Sequence, residues 1–137
     1  MNKNVTSLIK AYNNTHFIID GFKQPIIIDE KSLEVDIFLR SKHKLSWAFI
    51  TAYNPGSNFN TKEVNKRNQS RLEKDIQKYI HITGQGEDPI GNWDPEQSYF
   101  IAGIPKSEAV YLGKKYEQLA IVFGEINKKA ELLILNK

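Results

Sequence analysis

One group of polar residues able to bind a ligand lies in the segment TAYNPGS at 51–57, where the most clearly patterned strand ends. In open α/β sheets, ligands bind where strands end and the amides of the next helix point outward. Thr51, Asn54 and Ser57 supply hydroxyl and amide groups, and the Pro-Gly pair after Asn54 lets a ligand approach the backbone. A turn that only ends the strand explains the same residues without any function. Both interpretations stay open.

A second source of amides is the helix that follows, predicted over 60–80. Its apolar residues recur at i, i+4 spacing, Asn68 interrupts that stripe, and Asn65 lies beside it one turn earlier. A buried amide without hydrogen-bond partners costs about 1–3 kcal/mol. Asn68 must therefore find partners, either as a satisfied core residue or in the 51–57 turn and a ligand pocket. The stripe comprises Val64, Asn68, Leu72, Ile76 and Ile80.

A carboxylate able to act as an acid or base lies in the segment GNWDPEQSY at 91–99. If a strand begins near Glu96, then Glu96 and Ser98 face the same way. Asp94 and Glu96 could form a pair, and Trp93 supplies an apolar wall that raises the pKa of a neighbouring carboxyl group. Alternatively, the tryptophan pins a loop and the acids are solvated, which we favour for Asp94. Glu96 is the candidate catalytic residue.

Other chemistries lack residues that they require, since the chain has no cysteine for thiolate metal sites or nucleophiles. His16, His43 and His81 lie far apart, and none belongs to a metal-binding pair. The glycine-rich stretch at 84–88 lacks the lysine and hydroxyl of a phosphate loop. Ser57 has one flanking glycine and no nucleophile elbow. We therefore expect no metal, no cofactor and no covalent nucleophile.

The composition is that of an ordinary globular domain. With 137 residues, 40% of them hydrophobic and 26% charged, one domain spanning 1–137 is expected. The net charge is +3, but 16 of the 19 cations are lysines, which indicates a compositional bias more than an acidic partner. Neither a signal peptide nor a membrane-spanning stretch is evident, so we expect a cytoplasmic protein without membrane contact.

Basic residues on the 60–80 helix make a nucleic-acid interface a weaker alternative. Six cations lie along the helix and could follow a phosphate backbone. Glu63, Glu73 and Asp75 are interleaved with them, and Glu63 can pair with Arg67 at i, i+4 spacing. A solvated helix face is therefore the favoured interpretation. The six cations are Lys62, Lys66, Arg67, Arg71, Lys74 and Lys78.

The elements predicted from periodicity and turn signals run α-β-β-α-β-α-β-α-β-β. Hairpins at both ends and helical crossovers in the middle favour an α/β (α+β) fold. The expected architecture is a single domain with a mixed β-sheet of five to six strands and helices packed on its faces. The predicted helices cover about 5–12, 32–41, 60–80 and 107–117, and the predicted strands 16–20, 25–28, 46–54, 97–104, 119–123 and 130–135.

Three local patterns add detail to this fold. The 46–54 strand is apolar on both faces, which predicts a central strand covered on two sides. In the second helix, Leu33, Ile37 and Phe38 are expected to face the core. The glycines within 84–91 predict a loop.

Four segments share their motifs and their order with one protein family. They are FITAYNPGS at 49–57, the helix from Asn65 to Leu72, WDPEQSYFIAGI at 93–104 and YEQLAIVF at 116–123. Over residues 8–135 the chain resembles the bacterial domain-of-unknown-function 3293 family, which implies a fold and candidate positions but no reaction. Glu117 replaces a glycine usual in that family, where glycine suggests close backbone approach beside a pocket. The matching positions are Thr51, Asn54, Pro55, Asn65, Trp93, Glu96, Ser98 and Gln118.

Together these residues predict a domain that binds a small polar molecule and that could be an acid/base enzyme. Glu96 would exchange the proton, Asn54 and Asn65 would orient the substrate, and Trp93 would stack on a ring. The alternative is a non-enzymatic interaction or regulatory module, in which the polar side chains satisfy one another in a closed core. The predicted binding residues are Thr51, Asn54, Ser57, Asn65, Asn68, Trp93, Ser98 and Gln118.

Overall fold

Six strands form one sheet in the computed structural model, which describes residues 5–55 and 59–135. The strands are β1 (His16–Ile19), β2 (Ser46–Ile50), β3 (Ile80–Glu87), β4 (Glu96–Ala102), β5 (Ala120–Glu125) and β6 (Glu131–Ile134). The helices are α1 (Val5–Asn13), α2 (Leu33–Ser41), α3 (Lys62–Asp75) and α4 (Lys106–Lys115). The strand order β1-β3-β4-β2-β5-β6 gives a single-domain α+β fold, as predicted.

Every pairing in this sheet is antiparallel, whereas the sequence predicted a mixed sheet. The difference comes from β3, because α3 ends at Asp75 and the stretch predicted as a helix end and a glycine loop forms a strand. This extra strand reverses the chain between α3 and β4. As a result, β4 runs antiparallel to β2 instead of parallel to it.

The central position predicted for the 46–54 strand is confirmed, although β2 is shorter and ends at Ile50. It pairs with β4 on one side and β5 on the other. Trp47 and Phe49 pack in the cluster that contains α2, whereas Ala48 and Ile50 pack in the cluster that contains α4 and the end of α3. Apolar side chains therefore cover both faces. None of the helices in the described part of the chain has the length and apolar character required to cross a membrane.

The inner face of α2 differs in part from the prediction: Phe38 packs against the core as expected, but Leu33 and Ile37 do not. Leu33 and Ile37 are 71% and 56% exposed, and the buried residues are Val35, Asp36 and Leu39. In this orientation of the helix, the Asp36 carboxylate accepts the backbone N–H of Asn127 at 2.9 Å. The core side of α2 is therefore formed by Val35, Phe38 and Leu39, an i, i+3, i+4 set one step around the helix from the predicted one, and the Asp36 contact lies beside it.

The strand predicted over 25–28 is reduced to one bridge between Phe17 and Ile26. Ile26 and Ile28 are buried, so the apolar character of the segment is used in the core. Pro25 has no N–H to donate, and Asp29 has a positive φ of 69° that turns the chain away. A longer ladder cannot form between these two interruptions.

A left-handed residue follows the end of α4 at the position where the related family has glycine. Glu117 has a φ of 55°, its N–H bonds to the carbonyl of Lys114, and the N–H of Gln118 bonds to the carbonyl of Gly113. These two bonds form a Schellman motif, which favours glycine at the left-handed position. The family glycine is therefore explained by helix termination, and a pocket need not be invoked.

The Glu117→Gly variant is expected to be more stable than the wild type by about 0.5–1 kcal/mol, because glycine adopts positive φ without steric cost. Chemical denaturation followed by circular dichroism measures the difference. Glu117→Ala is the matched control, since it removes the carboxylate but keeps the strained conformation. An equal gain in both variants would attribute the effect to charge and contradict this explanation.

Candidate functional site

A cleft of about 640 Å³ opens between α1, the end of β2, the start of α3 and the segment that precedes β4. Elements that are distant in sequence meet here because β4 lies beside both β2 and β3. The lining includes six residues that the sequence predicted as a site, together with Asp94. The six are Thr51, Asn54, Asn65, Trp93, Glu96 and Ser98.

Asn54 connects three walls of this cleft through its backbone and its side chain. Its backbone N–H donates to Asn65 Oδ1 at 2.9 Å, and Asn65 Nδ2 donates back to Asn54 Oδ1 at 3.0 Å. Asn54 Oδ1 also accepts the backbone N–H of Asn60 at 3.1 Å. Asn54 Nδ2 donates to Glu96 Oε2 at 2.9 Å. Its positive φ of 47° is a conformation that asparagine tolerates better than most residues.

Glu96 is the first residue of β4 and is only partly exposed. Burial raises the pKa of its carboxyl group, and the hydrogen bond from Asn54 offsets part of that increase. Among the described residues, Oε1 accepts no hydrogen bond and the carboxylate has no cationic partner. The carboxylate therefore has one fixed oxygen and one that a ligand can bind.

Tyr12 of α1 adds a phenol to the cleft. Burial raises the pKa of its hydroxyl, and the negative charge of Glu96 raises it further. The hydroxyl is therefore protonated at neutral pH and is able to donate a hydrogen bond. The Tyr12 ring stacks on Phe17 with 6.5 Å between ring centroids, and Phe17 meets Phe49 edge to face at 5.4 Å. These rings form an apolar wall in the cleft.

Three other predicted residues use their polar groups to hold the backbone around the cleft. Thr51 Oγ1 donates to the carbonyl of Gln97 at 2.5 Å, and buried Ser98 donates to the carbonyl of Glu96 at 3.0 Å. Gln118 lies outside the cleft lining, and its Nε2 donates to the carbonyl of Tyr53 at 3.0 Å. These contacts fix the turn after β2 and the start of β4. Their role in the structure is to support the site.

Charged side chains of both signs line the cleft. Lys62 and Lys66 lie one turn apart on α3, and Asp94 precedes β4. Trp93 is 36% exposed, so part of its indole surface is open to solvent. Within residues 5–55 and 59–135, no three His, Cys, Asp or Glu side chains are grouped so that they could hold a metal ion. The chemistry available here is hydrogen bonding, ring stacking and proton exchange.

The family model described as "Protein of unknown function (DUF3293)" matches residues 50–121, which is more than half of the chain. The chain belongs to this family. Neither the curated proteins nor the solved structures gave a match. The matched region extends from the end of β2 to β5 and contains the amides, the hydroxyls and the carboxylate of the cleft. Tyr12 lies outside it, so this DUF3293 protein completes the cleft with a residue beyond the matched region.

The long helix of this DUF3293 protein buries a different amide from the one that its stripe predicted. Asn68 is half-exposed and outside the cleft, whereas Asn65 and Gln69 are buried. Gln69 Oε1 accepts the backbone N–H of Ala52 at 3.0 Å and so also holds the turn after β2. A strict i, i+4 stripe drifts around a helix of 3.6 residues per turn. The buried positions 65, 69, 72 and 76 alternate steps of four and three, a signal present in the sequence.

Of the predicted site residues, Ser57 lies outside the described part of the chain. Tyr12 lines the cleft but was not predicted, and Lys62 and Lys66 line it although the sequence named them only in the nucleic-acid alternative. Lys78 lies beyond the end of α3 and forms an ion pair with Glu108 at 3.4 Å, so the basic row predicted along one helix is interrupted.

The pKa of Glu96 predicts a pH-dependent cost to stability. The pKa of Glu96 is higher in the folded state than in the unfolded chain. The contribution of Glu96 to the free energy of unfolding is therefore greatest below the unfolded-state pKa and is lost as pH rises through the folded-state pKa. Glu96→Gln cannot ionise and keeps an oxygen for the amide of Asn54. We therefore expect this variant to be more stable than the wild type at pH 7, with the difference disappearing towards pH 4.

Thermal unfolding between pH 4 and pH 7 tests this expectation. Glu30→Gln is the control, because Glu30 is exposed and its side chain forms no hydrogen bond or ion pair with a described residue. Its difference from the wild type should be unchanged across the range. A Glu96→Gln variant that is less stable than the wild type at pH 7 would contradict the raised pKa.

Proposed function

We propose that the cleft binds a small polar molecule and that Glu96 holds this molecule and exchanges a proton with it. The observation that carries the proposal is Oε1 of the Glu96 carboxylate, which accepts no hydrogen bond from the described residues and lies in an open cleft of about 640 Å³. A partly buried carboxylate without a cation is costly to the fold. A ligand that donates a hydrogen bond to it offsets this cost.

The surroundings of Glu96 support a role in proton exchange. A general acid or base works best when its pKa lies near the working pH, and burial shifts the pKa of Glu96 in that direction. Asn54 holds Oε2 in place, which leaves Oε1 available to the reacting group. The Tyr12 hydroxyl adds a hydrogen-bond donor to the same cleft. The corresponding reaction class is acid/base-assisted hydrolysis, transfer or isomerisation.

The interaction-module alternative has less support. It predicts that the polar side chains of the family motifs satisfy one another around a closed interior. Asn54 and Asn65 do bond reciprocally, and Gln118 bonds to backbone carbonyls. However, these bonds surround an open cleft, and Glu96 Oε1 accepts no hydrogen bond from a described residue. An arrangement of this kind is typical of a supported binding site.

A thermal-shift screen of polar metabolites tests the proposal on the wild type, Glu96→Gln and Asn68→Ala. Asn68→Ala is the matched control, because this residue lies on α3 outside the cleft. At a ligand concentration of about 100 Kd, binding stabilises the folded state by about 2.7 kcal/mol. We expect at least one metabolite to shift the wild type and the control equally and to lose most of its effect on Glu96→Gln. A screen without a shift, or equal shifts in all three proteins, would overturn the proposal.

A further inference from the structure

We infer that the ligand of the cleft is a planar nitrogen-containing ring that carries an anionic group, the chemistry of a mononucleotide. This inference rests on the proposed function and adds the class of ligand. Its basis is the combination in one cleft of aromatic walls, a carboxylate oxygen without a hydrogen bond from a described residue, and two lysines without an ion pair to a described residue. Each of these features selects a different part of the same molecule.

The lysine pair selects the anionic group. Lys62 and Lys66 are four residues apart on α3, so their side chains lie on the same side of the helix. Both line the cleft, and neither forms an ion pair with a described residue. Two adjacent ammonium groups repel each other unless an anion lies between them, and lysine is a common ligand of phosphate. Asp94 also lines the cleft, so the anion is expected on the α3 side, away from this carboxylate.

The Glu96 carboxylate favours a ligand that carries an N–H group. Its free oxygen accepts a hydrogen bond, and the ring N–H and amino groups of a heterocycle donate such bonds to carboxylates. Glu96 and the lysine pair are joined by a short path, because Asn54 bonds to Glu96 on one side and to Asn65 of α3 on the other. The carboxylate and the helix that carries the two lysines therefore border the same cleft on walls that Asn54 connects.

The aromatic residues select a flat molecule. Trp93, Tyr12, Phe17 and Phe49 all line the cleft, and part of the indole of Trp93 is open to solvent. Every base has a planar face that stacks favourably on an aromatic side chain. A heterocycle gains both the stacking and the hydrogen bond to Glu96.

Isothermal titration with mononucleotides, their nucleosides and inorganic phosphate tests this inference. The four 5′-monophosphates of adenosine, guanosine, cytidine and uridine are used at one low salt concentration. We expect at least one nucleotide to bind about tenfold or more tightly than its nucleoside, and inorganic phosphate to bind weakly. A nucleoside that binds as tightly as its nucleotide would overturn the anionic part of the inference.

Two double variants test whether Lys62 and Lys66 bind the anionic group of the ligand. Lys62→Ala with Lys66→Ala should reduce the ratio of nucleotide to nucleoside affinity to about one or two. Lys74→Ala with Lys114→Ala removes the same charge outside the cleft and should leave the ratio unchanged. A ratio that survives in the first double variant, or falls equally in both, would overturn the inference. So would an oligonucleotide that binds more tightly than any mononucleotide.

This outcome is distinguishable from failure of the proposed function. If the metabolite screen finds an uncharged ligand whose binding depends on Glu96, the proposed function stands and the nucleotide-like class is wrong. If no metabolite and no nucleotide binds, both are wrong. Binding of a nucleotide that is lost in Glu96→Gln and weakened in the Lys62/Lys66 double variant supports both.

Discussion

The Gly84→Ala variant is expected to lose about 3 kcal/mol of unfolding free energy, because an added methyl group has no space in the sheet. A Cβ at this position would lie 2.2 Å from the backbone oxygen of Ile18 and 3.1 Å from the ring of Phe49. Gly84 pairs with Ile19 of β1 and Ser98 of β4, so neither neighbouring strand can move without breaking the ladder. The backbone of β1 must therefore shift, and the midpoint of thermal unfolding should fall by about 10 °C.

Gly86→Ala is the matched control for this variant. Gly86 is two residues further along β3 and faces the same side, but its nearest contact to an added Cβ is 3.6 Å, from Thr15. This is an ordinary van der Waals distance, so we expect a change within about 0.5 kcal/mol. Urea denaturation of both variants measures the two values. Equal losses would mean that removing any glycine from β3 is costly, which would contradict the specific clash with β1.

The same glycines explain why β3 is difficult to predict from sequence. The strand begins after Tyr79, at Ile80, which continues the apolar spacing of the preceding helix. Gly84 and Gly86 then replace the alternating side chains by which a strand is ordinarily recognised. The segment is a strand because β1 and β4 pair with it on both sides. That stabilisation is tertiary, and no local window of the sequence contains it.

By contrast, the central strand β2 and several residues that line the cleft could be predicted from the sequence. The alternation from Trp47 to Ile50 is apolar on both faces, and the strand lies where such a pattern requires. Asn54 and Glu96 follow from motifs at strand ends, which the sheet brings together. Tyr12 was not predicted, because its helix lies far from the other site residues in sequence and precedes β1, which pairs with β3.

The Asn54→Asp variant should be the most damaging isosteric change in the cleft. Aspartate can still accept the hydrogen bonds from Asn60 and Asn65, but it cannot donate to Glu96. Two carboxylate oxygens would then face each other across the 2.9 Å contact that now joins an amide to Glu96. The loss of a charge-assisted hydrogen bond and the added repulsion should lower the unfolding free energy by about 3 kcal/mol at pH 7.

The pH dependence of this loss identifies its cause. Two carboxylates in one site raise the pKa of one of them, so the folded state holds a proton that the unfolded chain releases. Stability is then greatest below the unfolded-state pKa and falls as pH rises through the raised folded-state value. The deficit of Asn54→Asp should therefore shrink from pH 7 towards pH 4. Asn68→Asp, at a half-exposed position of α3 outside the cleft, is the control and should change stability by no more than about 0.5 kcal/mol at either pH.

Combining Asn54→Asp with Glu96→Gln should recover most of the lost stability, since the glutamine amide can donate to the new aspartate. The pair then contains one donor and one charged acceptor again, with the direction of the hydrogen bond reversed. A double-mutant cycle at pH 7 measures this coupling, which we expect to exceed about 2 kcal/mol. Additive effects, or an Asn54→Asp deficit that is the same at both pH values, would mean that Asn54 supports the turn without controlling the Glu96 carboxylate. Strong coupling would mean that the fold uses one asparagine both to hold the turn that follows β2 and to set the charge state of a carboxyl group that lines the cleft.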